Sequence, residues 1–300
     1  SKEGGFFSHI TANFPDVSVP CIIKEECIRI FCEFPAREQK LVICGGGHVS
    51  IPVIQIGRMI GCTVTVLEDR PKFADNARRA GADTVICEPF EEGLKKIPGD
   101  PDTYFIIVTR GHRYDQICLE KIIKKEHAYI GMMGSRARTA KVKQALLDRS
   151  ADFQVLESVH TPIGLPIGGE TPEEIGVSII AEVIQEKNRC QKRGGFTKEI
   201  LKALLDEKEK DIKKVLATIV TKKGSSPREA GTKMLIFQDG RTVGTIGGGC
   251  LEADIFQRSL RLMSQESFPL VLYHADMTGK DAEEEGMVCG GMVDVLLEVL

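Results

Sequence analysis

The chain has 300 residues, of which 42% are hydrophobic and 28% charged, with a formal net charge of −3. At roughly 100–200 residues per domain this predicts about two domains with well-buried cores, and the near-balanced charge excludes a broad basic surface for nucleic acid while leaving room for local anion sites. No apolar run approaches the ~18 residues of a membrane span, and the polar start Ser1-Lys2-Glu3-Gly4 lacks the pattern of a signal peptide.

Taken in chain order, residues 1–36 form an N-terminal segment. Its strand-like run Ile28–Phe34 echoes Val293–Val299 in pattern and in a late Glu, which reads either as a strand left over from a second copy of the C-terminal type of domain or added to it, or as the chance similarity of two amphipathic strands. Residues 37–190 alternate short apolar runs with helical stretches, the pattern of a parallel sheet with crossover helices. The runs at 41–44, 64–67, 84–87, 105–108 and 128–130 are continuous in polarity, as a sheet covered on both faces requires. Thr171-Pro172-Glu173-Glu174 opens a long helix with an N-cap, a first-position proline and a capping box. Residues 191–213 are charge-rich and read as an exposed helical linker. Residues 214–300 change texture to a smaller α+β domain, with a hairpin at Asp239-Gly240 and a helix from about Leu251 to Ser264. The fold class is therefore α/β: a Rossmann-like parallel-sheet domain followed by a smaller α+β domain.

Four segments could carry chemistry. Gly45-Gly46-Gly47-His48 follows the first strand and precedes a helix, where glycine lets backbone approach a pyrophosphate at the helix N-terminus. Ser50 stands in place of the third fingerprint glycine, and Glu68-Asp69 ends the second strand, where an acid accepts from ribose hydroxyls. The second segment, Thr109–Asp115, ends the fourth strand and offers Arg110 to an anion and His112 for proton transfer; alternatively Asp115 caps the next helix and the basic residues are solvated. In the third, Ser135 can cap a helix whose first turn carries Arg136 and Arg138, cations that an anionic ligand would offset. The fourth lies in the second domain: Gly247-Gly248-Gly249-Cys250 is a glycine loop opening a helix, with Cys289-Gly290-Gly291 and Ser225-Ser226-Pro227-Arg228 as companions. Cys250 and Cys289 beside glycines suggest sulfur or metal chemistry, against the alternative of inert buried thiols. The ten cysteines are scattered, without a C-x-x-C pair or a zinc quartet, which points to a reducing cytoplasm. Most read as small buried hydrophobes, Cys44, Cys62 and Cys87 among them. His9, His127 and His274 read as ordinary histidines, and Met132-Met133 as packing.

Together these segments resemble the XdhC/CoxI family, the xanthine dehydrogenase accessory factors. The Rossmann part matches through Gly45–Val49, Glu68–Phe73, Thr109–Asp115, Tyr129–Arg136, Thr161–Leu165 and Thr171–Glu182; the other part matches through Gly224–Arg228, Gly244–Glu252 and Cys289–Gly291. The domain order is permuted relative to the usual one, and Arg110 stands where some relatives carry His. The resemblance implies a cytoplasmic maturation factor for molybdenum hydroxylases. Such a factor binds the molybdenum cofactor (molybdopterin or its dinucleotide form), assists its sulfuration by a cysteine desulfurase, and inserts it into the apoenzyme. On that reading Gly45, Gly47, His48, Glu68, Asp69, Arg110, Ser135, Arg136, Ser226, Arg228, Gly247, Gly248 and Gly249 bind the cofactor. Cys250, Cys289 and His112 are its reactive residues, the two thiolates suit the metal, and a cleft between the domains is the expected site. A second reading is an NAD(P)-dependent oxidoreductase, and a third a nucleotide-binding redox sensor. A homodimer is expected from the frequency of two-fold oligomers; neither nucleic acid nor membrane is an expected partner.

Overall fold

The computed structural model describes residues 21–25, 28–33, 38–149, 152–190, 195–224, 228–247, 249–265, 270–276 and 291–300. Two compact units result: residues 37–190, and residues 1–36 together with 191–300.

The first unit is built on a parallel sheet of β3 (Lys40–Cys44), β4 (Thr63–Glu68), β5 (Thr84–Cys87), β6 (Thr103–Ile107) and β7 (Tyr129–Met132), in the order β5-β4-β3-β6-β7. Continuous apolar runs are required here because alternate residues bury on opposite faces. Leu41 and Ile43 pack with Val64, Val66 and Ile106 against α1 (Ser50–Met59), α2 (Pro71–Arg79) and α7 (Pro172–Cys190). Val42 and Cys44 pack with Leu67, Phe105 and Ile107 against α3 (Phe90–Lys96), α4 (His112–Ile122), α5 (Arg136–Leu147) and α6 (Phe153–Ser158). The sheet is thus wound on both sides. Beyond β7, His160 adds a single parallel bridge to Gly131.

Thr171 and Glu174 form the expected capping box at the start of α7. The Glu174 amide donates to Thr171 Oγ1 at 3.2 Å and the Thr171 amide to Glu174 Oε2 at 3.1 Å. Met132, Cys44 and Cys62 are buried in the core, whereas Cys87 is only half-buried.

The second unit has an antiparallel sheet of β8 (Lys214–Gly224), β9 (Lys233–Phe237), β10 (Thr242–Gly244), β11 (Val271–Asp276) and β12 (Gly291–Val299), in the order β10-β9-β8-β12-β11. Asp239 and Gly240 turn β9 into β10 as their sequence predicts, Gly240 adopting φ +88°. One sheet face packs on α9 (Gly249–Met263) through Val215, Ala217, Ile236 and Ile255. The other face packs on α8 (Lys198–Leu205) through Ile200, Leu216, Leu235 and Phe237. This corrects the expectation of an exposed linker over 191–213. Thr197 caps α8 through the Ile200 amide at 3.3 Å, and Ile200 is fully buried, because the charges occupy only the outer face of a helix whose apolar stripe covers the sheet.

In the N-terminal segment, β1 (Cys21–Glu25) and β2 (Ile28–Cys32) pair antiparallel as a hairpin of their own. The run that begins at Ile28 therefore does not add the expected extra strand to the second unit's sheet; its hydrogen bonds are taken by the preceding strand. The chain beyond β2 is tied to β9 by an ion pair from Lys233 Nζ to Glu33 Oε1 at 2.6 Å. Lys233 also donates to Thr218 Oγ1 at 3.1 Å and lies over the rings of Phe196 and Phe31.

Candidate functional site

In a sheet of order β5-β4-β3-β6-β7 the winding reverses between β3 and β6, and open α/β sheets bind ligands at the carboxyl ends of the strands there. The glycine turn after β3 and the Thr109–Gly111 loop after β6 flank that point. Gly45 must be glycine on two grounds. It has φ +115°, and a Cβ would stand 2.6 Å from the Val108 carbonyl oxygen. Gly47 differs: a Cβ there meets nothing within 4 Å, so the backbone borders open space. Among the described residues no partner is found for the amides of Gly47, His48 and Val49 at the head of α1, and His48 is exposed. Ser50 is more than a small substitute for glycine. It is fully buried, and its hydroxyl donates to the Gly45 carbonyl at 2.7 Å, bracing the turn.

The two acids at the end of β4 separate into different roles. Glu68 is 1% exposed, and its Oε2 accepts the Gly46 amide at 2.7 Å while Oε1 accepts the Arg70 amide at 3.1 Å and its Nε at 2.8 Å. Glu68 thus holds the glycine turn, and the sequence expectation that it faces a ribose gives way to this internal role. Asp69 faces outward and takes a bidentate pair from Arg110, at 2.5 and 3.0 Å. Arg110 also donates to Tyr114 Oη at 2.6 Å and lies over that ring at 4.2 Å. Burial alone would raise the Asp69 carboxyl, but the Arg110 guanidinium beside it holds it below the ordinary aspartate value.

His112 begins α4 and is exposed. Asp115 does not cap this helix, whose N-cap is Gly111. It is buried, accepts from Thr109 Oγ1 at 2.6 Å and pairs with Arg138. Burial raises its pKa despite those partners. Arg138 therefore has a fixed anionic partner in Asp115. Ser135 caps α5 through the Arg138 amide at 3.3 Å, and Arg136 is exposed in the same first turn.

A further cluster is not singled out as a site by the sequence, although Tyr129, Gly164 and Glu182 fall within the blocks that carry the family resemblance. Glu182 Oε2 accepts from Tyr129 Oη at 2.5 Å and from the Gly164 amide at 2.7 Å, while His160 Nδ1 lies 3.2 Å from Oε1. Burial would raise the Glu182 carboxyl, but His160, Tyr129 and the Gly164 amide together lower it. Burial and the bond to Glu182 push the Tyr129 hydroxyl far up, so it stays a donor. These groups are 53 residues apart in the case of Tyr129 and Glu182, and only the fold joins them.

In the second unit, Gly247 and Gly249 precede and open α9, with half-buried Cys250 in its first turn. The Gly247 amide donates to Glu252 Oε1 at 2.9 Å, so this loop is closed by a carboxylate of its own helix. Arg228 is exposed; Ser226, Gly248 and Cys289 lie outside the described residues. Among the described residues no three His, Cys, Asp or Glu side chains are grouped to hold a metal ion. Nor is any described helix long and apolar enough to cross a membrane.

Comparison with known proteins agrees with this division. The model of the XdhC Rossmann domain matches residues 41–183, and that of the XdhC and CoxI family matches residues 208–274. The chain belongs to the XdhC/CoxI family. In this XdhC/CoxI chain the Rossmann segment precedes the CoxI-type one. It is 26% identical over 162 residues to the uncharacterized protein YqeB of Escherichia coli strain K12, covering 54% of this chain and 30% of that protein. It is 27% identical over 165 residues to a probable xanthine dehydrogenase subunit of Bacillus subtilis strain 168, covering 55% of this chain and 48% of that one. A crystal structure of a xanthine dehydrogenase from Bacillus halodurans is 28% identical with a TM-score of 0.47, covering 52% of this chain and 45% of that one. The chain thus matches less than half the length of each of these relatives.

Proposed function

We propose that this XdhC/CoxI chain is an accessory factor for a xanthine dehydrogenase-type molybdenum hydroxylase, binding the molybdenum cofactor and assisting its sulfuration and insertion. The observation that carries the reading is the pairing, on one chain, of a CoxI-type segment with a Rossmann unit whose glycine turn borders open space. Molybdopterin, alone or as its dinucleotide, carries phosphate, and the turn suits phosphate: amides without internal partners stand beside a position where a side chain would fill the space. Gly45 and Gly47 would hold the phosphates, Arg110 would supply charge-assisted hydrogen bonds, and Asp69 would accept from sugar hydroxyls. When bound, the cofactor supplies a redox-active metal–dithiolene centre. Cys250 and Cys289 are the residues we assign to its sulfur chemistry, Ser226, Arg228, Gly248 and Gly249 to binding it, and His112 to proton transfer. The client apoenzyme and a cysteine desulfurase are the partners this role requires.

The test is anaerobic purification from a molybdenum-replete host, followed by quantifying molybdenum and pterin per chain. We expect substantial occupancy that falls at least about tenfold in Gly47→Val, as blocking a phosphate cradle predicts, and falls also in Cys250→Ala. Asp69 at the end of β4 favours a second reading, a nicotinamide-dependent oxidoreductase. A chain free of molybdenum and pterin that turns over NAD(P)H would overturn the first reading in its favour.

A further inference from the structure

Two ion pairs stand side by side above the carboxyl ends of the central strands, and they are built differently. Arg70 with Glu68 is the inner one: Glu68 is 1% exposed and holds the Gly46 amide, so this pair cannot be broken without loosening the turn. Asp69 with Arg110 is the outer one, with side chains 18% and 34% exposed. Asp69 follows β4, Arg110 follows β6, and β3 with its glycine turn lies between those strands. The outer pair therefore reaches from one side of the glycine turn to the other, across the line a diphosphate takes over such a turn.

We propose that the Asp69–Arg110 pair is an exchangeable bar across the glycine turn, displaced by a nucleoside diphosphate. Arg110, which also stands 3.8 Å from Glu68 Oε1, passes from Asp69 to the diphosphate, and Asp69, left with Arg70 Nε at 3.8 Å, accepts from the ribose diol. The inference rests on the reading of this crevice as a nucleotide site and adds how that site opens and which parts of the ligand it reads. Three features carry it. An ion pair this exposed is weak enough to exchange, whereas the inner pair is not. The guanidinium is planar and bidentate, so it can exchange a carboxylate for a phosphate with the same geometry. Its stacking on Tyr114 holds it at the crevice while it changes partner. Glu68 is unable to replace Asp69 at a ribose, because both of its oxygens are occupied.

The experiment is calorimetric titration of the full chain with two probes, ADP and inorganic pyrophosphate. The chains compared are the wild type, Asp69→Asn, Arg110→Gln and the blocked control Gly47→Val. Pyrophosphate has no ribose, so Asp69 opposes it by holding Arg110 and by its own negative charge. Only the first contribution depends on Arg110, so the tightening in Asp69→Asn should shrink when Arg110→Gln is also present. Asp69→Asn should therefore tighten pyrophosphate by roughly two- to fivefold, the strength of an exposed pair, while weakening ADP. Arg110→Gln should weaken both probes by roughly ten- to a hundredfold, and Gly47→Val should abolish both. A merely structural pair would move the two probes in the same direction in Asp69→Asn, and that result would overturn the proposal. So would absence of binding to both the wild type and Asp69→Asn. Should Asp69→Asn fail to fold, Asp69→Ser must show the same split. Molybdenum occupancy without the split would remove the bar alone; the split without molybdenum or pterin would remove the accessory-factor reading alone.

Discussion

Two neighbouring glycines of the same turn are held by opposite requirements, and substitution separates them. At Gly45 a methyl group would meet the Val108 carbonyl at 2.6 Å in a backbone region that side chains avoid. Gly45→Ala should cost about 1–3 kcal/mol, read by urea denaturation, with loss of any ligand following from the distorted turn. Gly47→Val meets open space. It should leave the unfolding free energy within about 0.5 kcal/mol of wild type and remove ligand alone. A Gly47→Val chain as unstable as Gly45→Ala would mean that the space before Gly47 is needed by the fold. The glycines themselves are visible in the sequence, but their division of labour is not, because it depends on how closely β6 passes Gly45.

At the scale of elements, the Tyr129–Glu182–His160 group ties β7 to α7 and to the segment around Gly164. Glu182→Ala leaves the buried Tyr129 hydroxyl without its acceptor and should cost about 1–3 kcal/mol. The sign of its pH dependence follows from a carboxyl lowered on folding. The stabilisation is complete above the ordinary glutamate value of 4.5 and is lost as the pH falls through the lower folded value. Wild type should therefore lose stability faster than Glu182→Ala between about pH 5 and pH 3, and equal slopes in acid denaturation would rule out the assignment. Most elements of the first unit are legible in the sequence, since continuous apolar runs mark doubly covered strands and the Thr171–Glu174 box marks a helix start. The helix α8 reads as exposed in the sequence because its charge density hides the stripe that places Ile200 on the sheet.

For the molecule as a whole, the informative contact joins the two ends of the sequence that make up the second unit. Lys233 is 2% exposed and its ammonium group depends on Glu33, 200 residues away, for its counter-charge. Lys233→Met should leave Glu33, 18% exposed and with Oε2 buried without a partner, uncompensated at a cost of about 3 kcal/mol. Deleting residues 1–36 should destabilise the second unit, and Lys233→Met should be better tolerated in that shortened chain than in the full one. If the two changes add independently in a double-mutant cycle, the ion pair does not anchor the N-terminal segment.

The α/β class, the order of the two segments and the glycine turns can be read from the chain without its fold, because apolar period, capping and glycine placement are local properties. The chain also carries the family resemblance, through short blocks of residues. The tertiary structure alone decided which acid braces the turn and which faces outward, that Asp115 neutralises Arg138, and that Glu252 fills the Gly247 amide. Each of these is a choice among partners distant in sequence or equivalent in chemistry. Glu68 and Asp69 are adjacent carboxylates of nearly the same reach, and strand alternation, by sending one inward and the other out, assigns their roles.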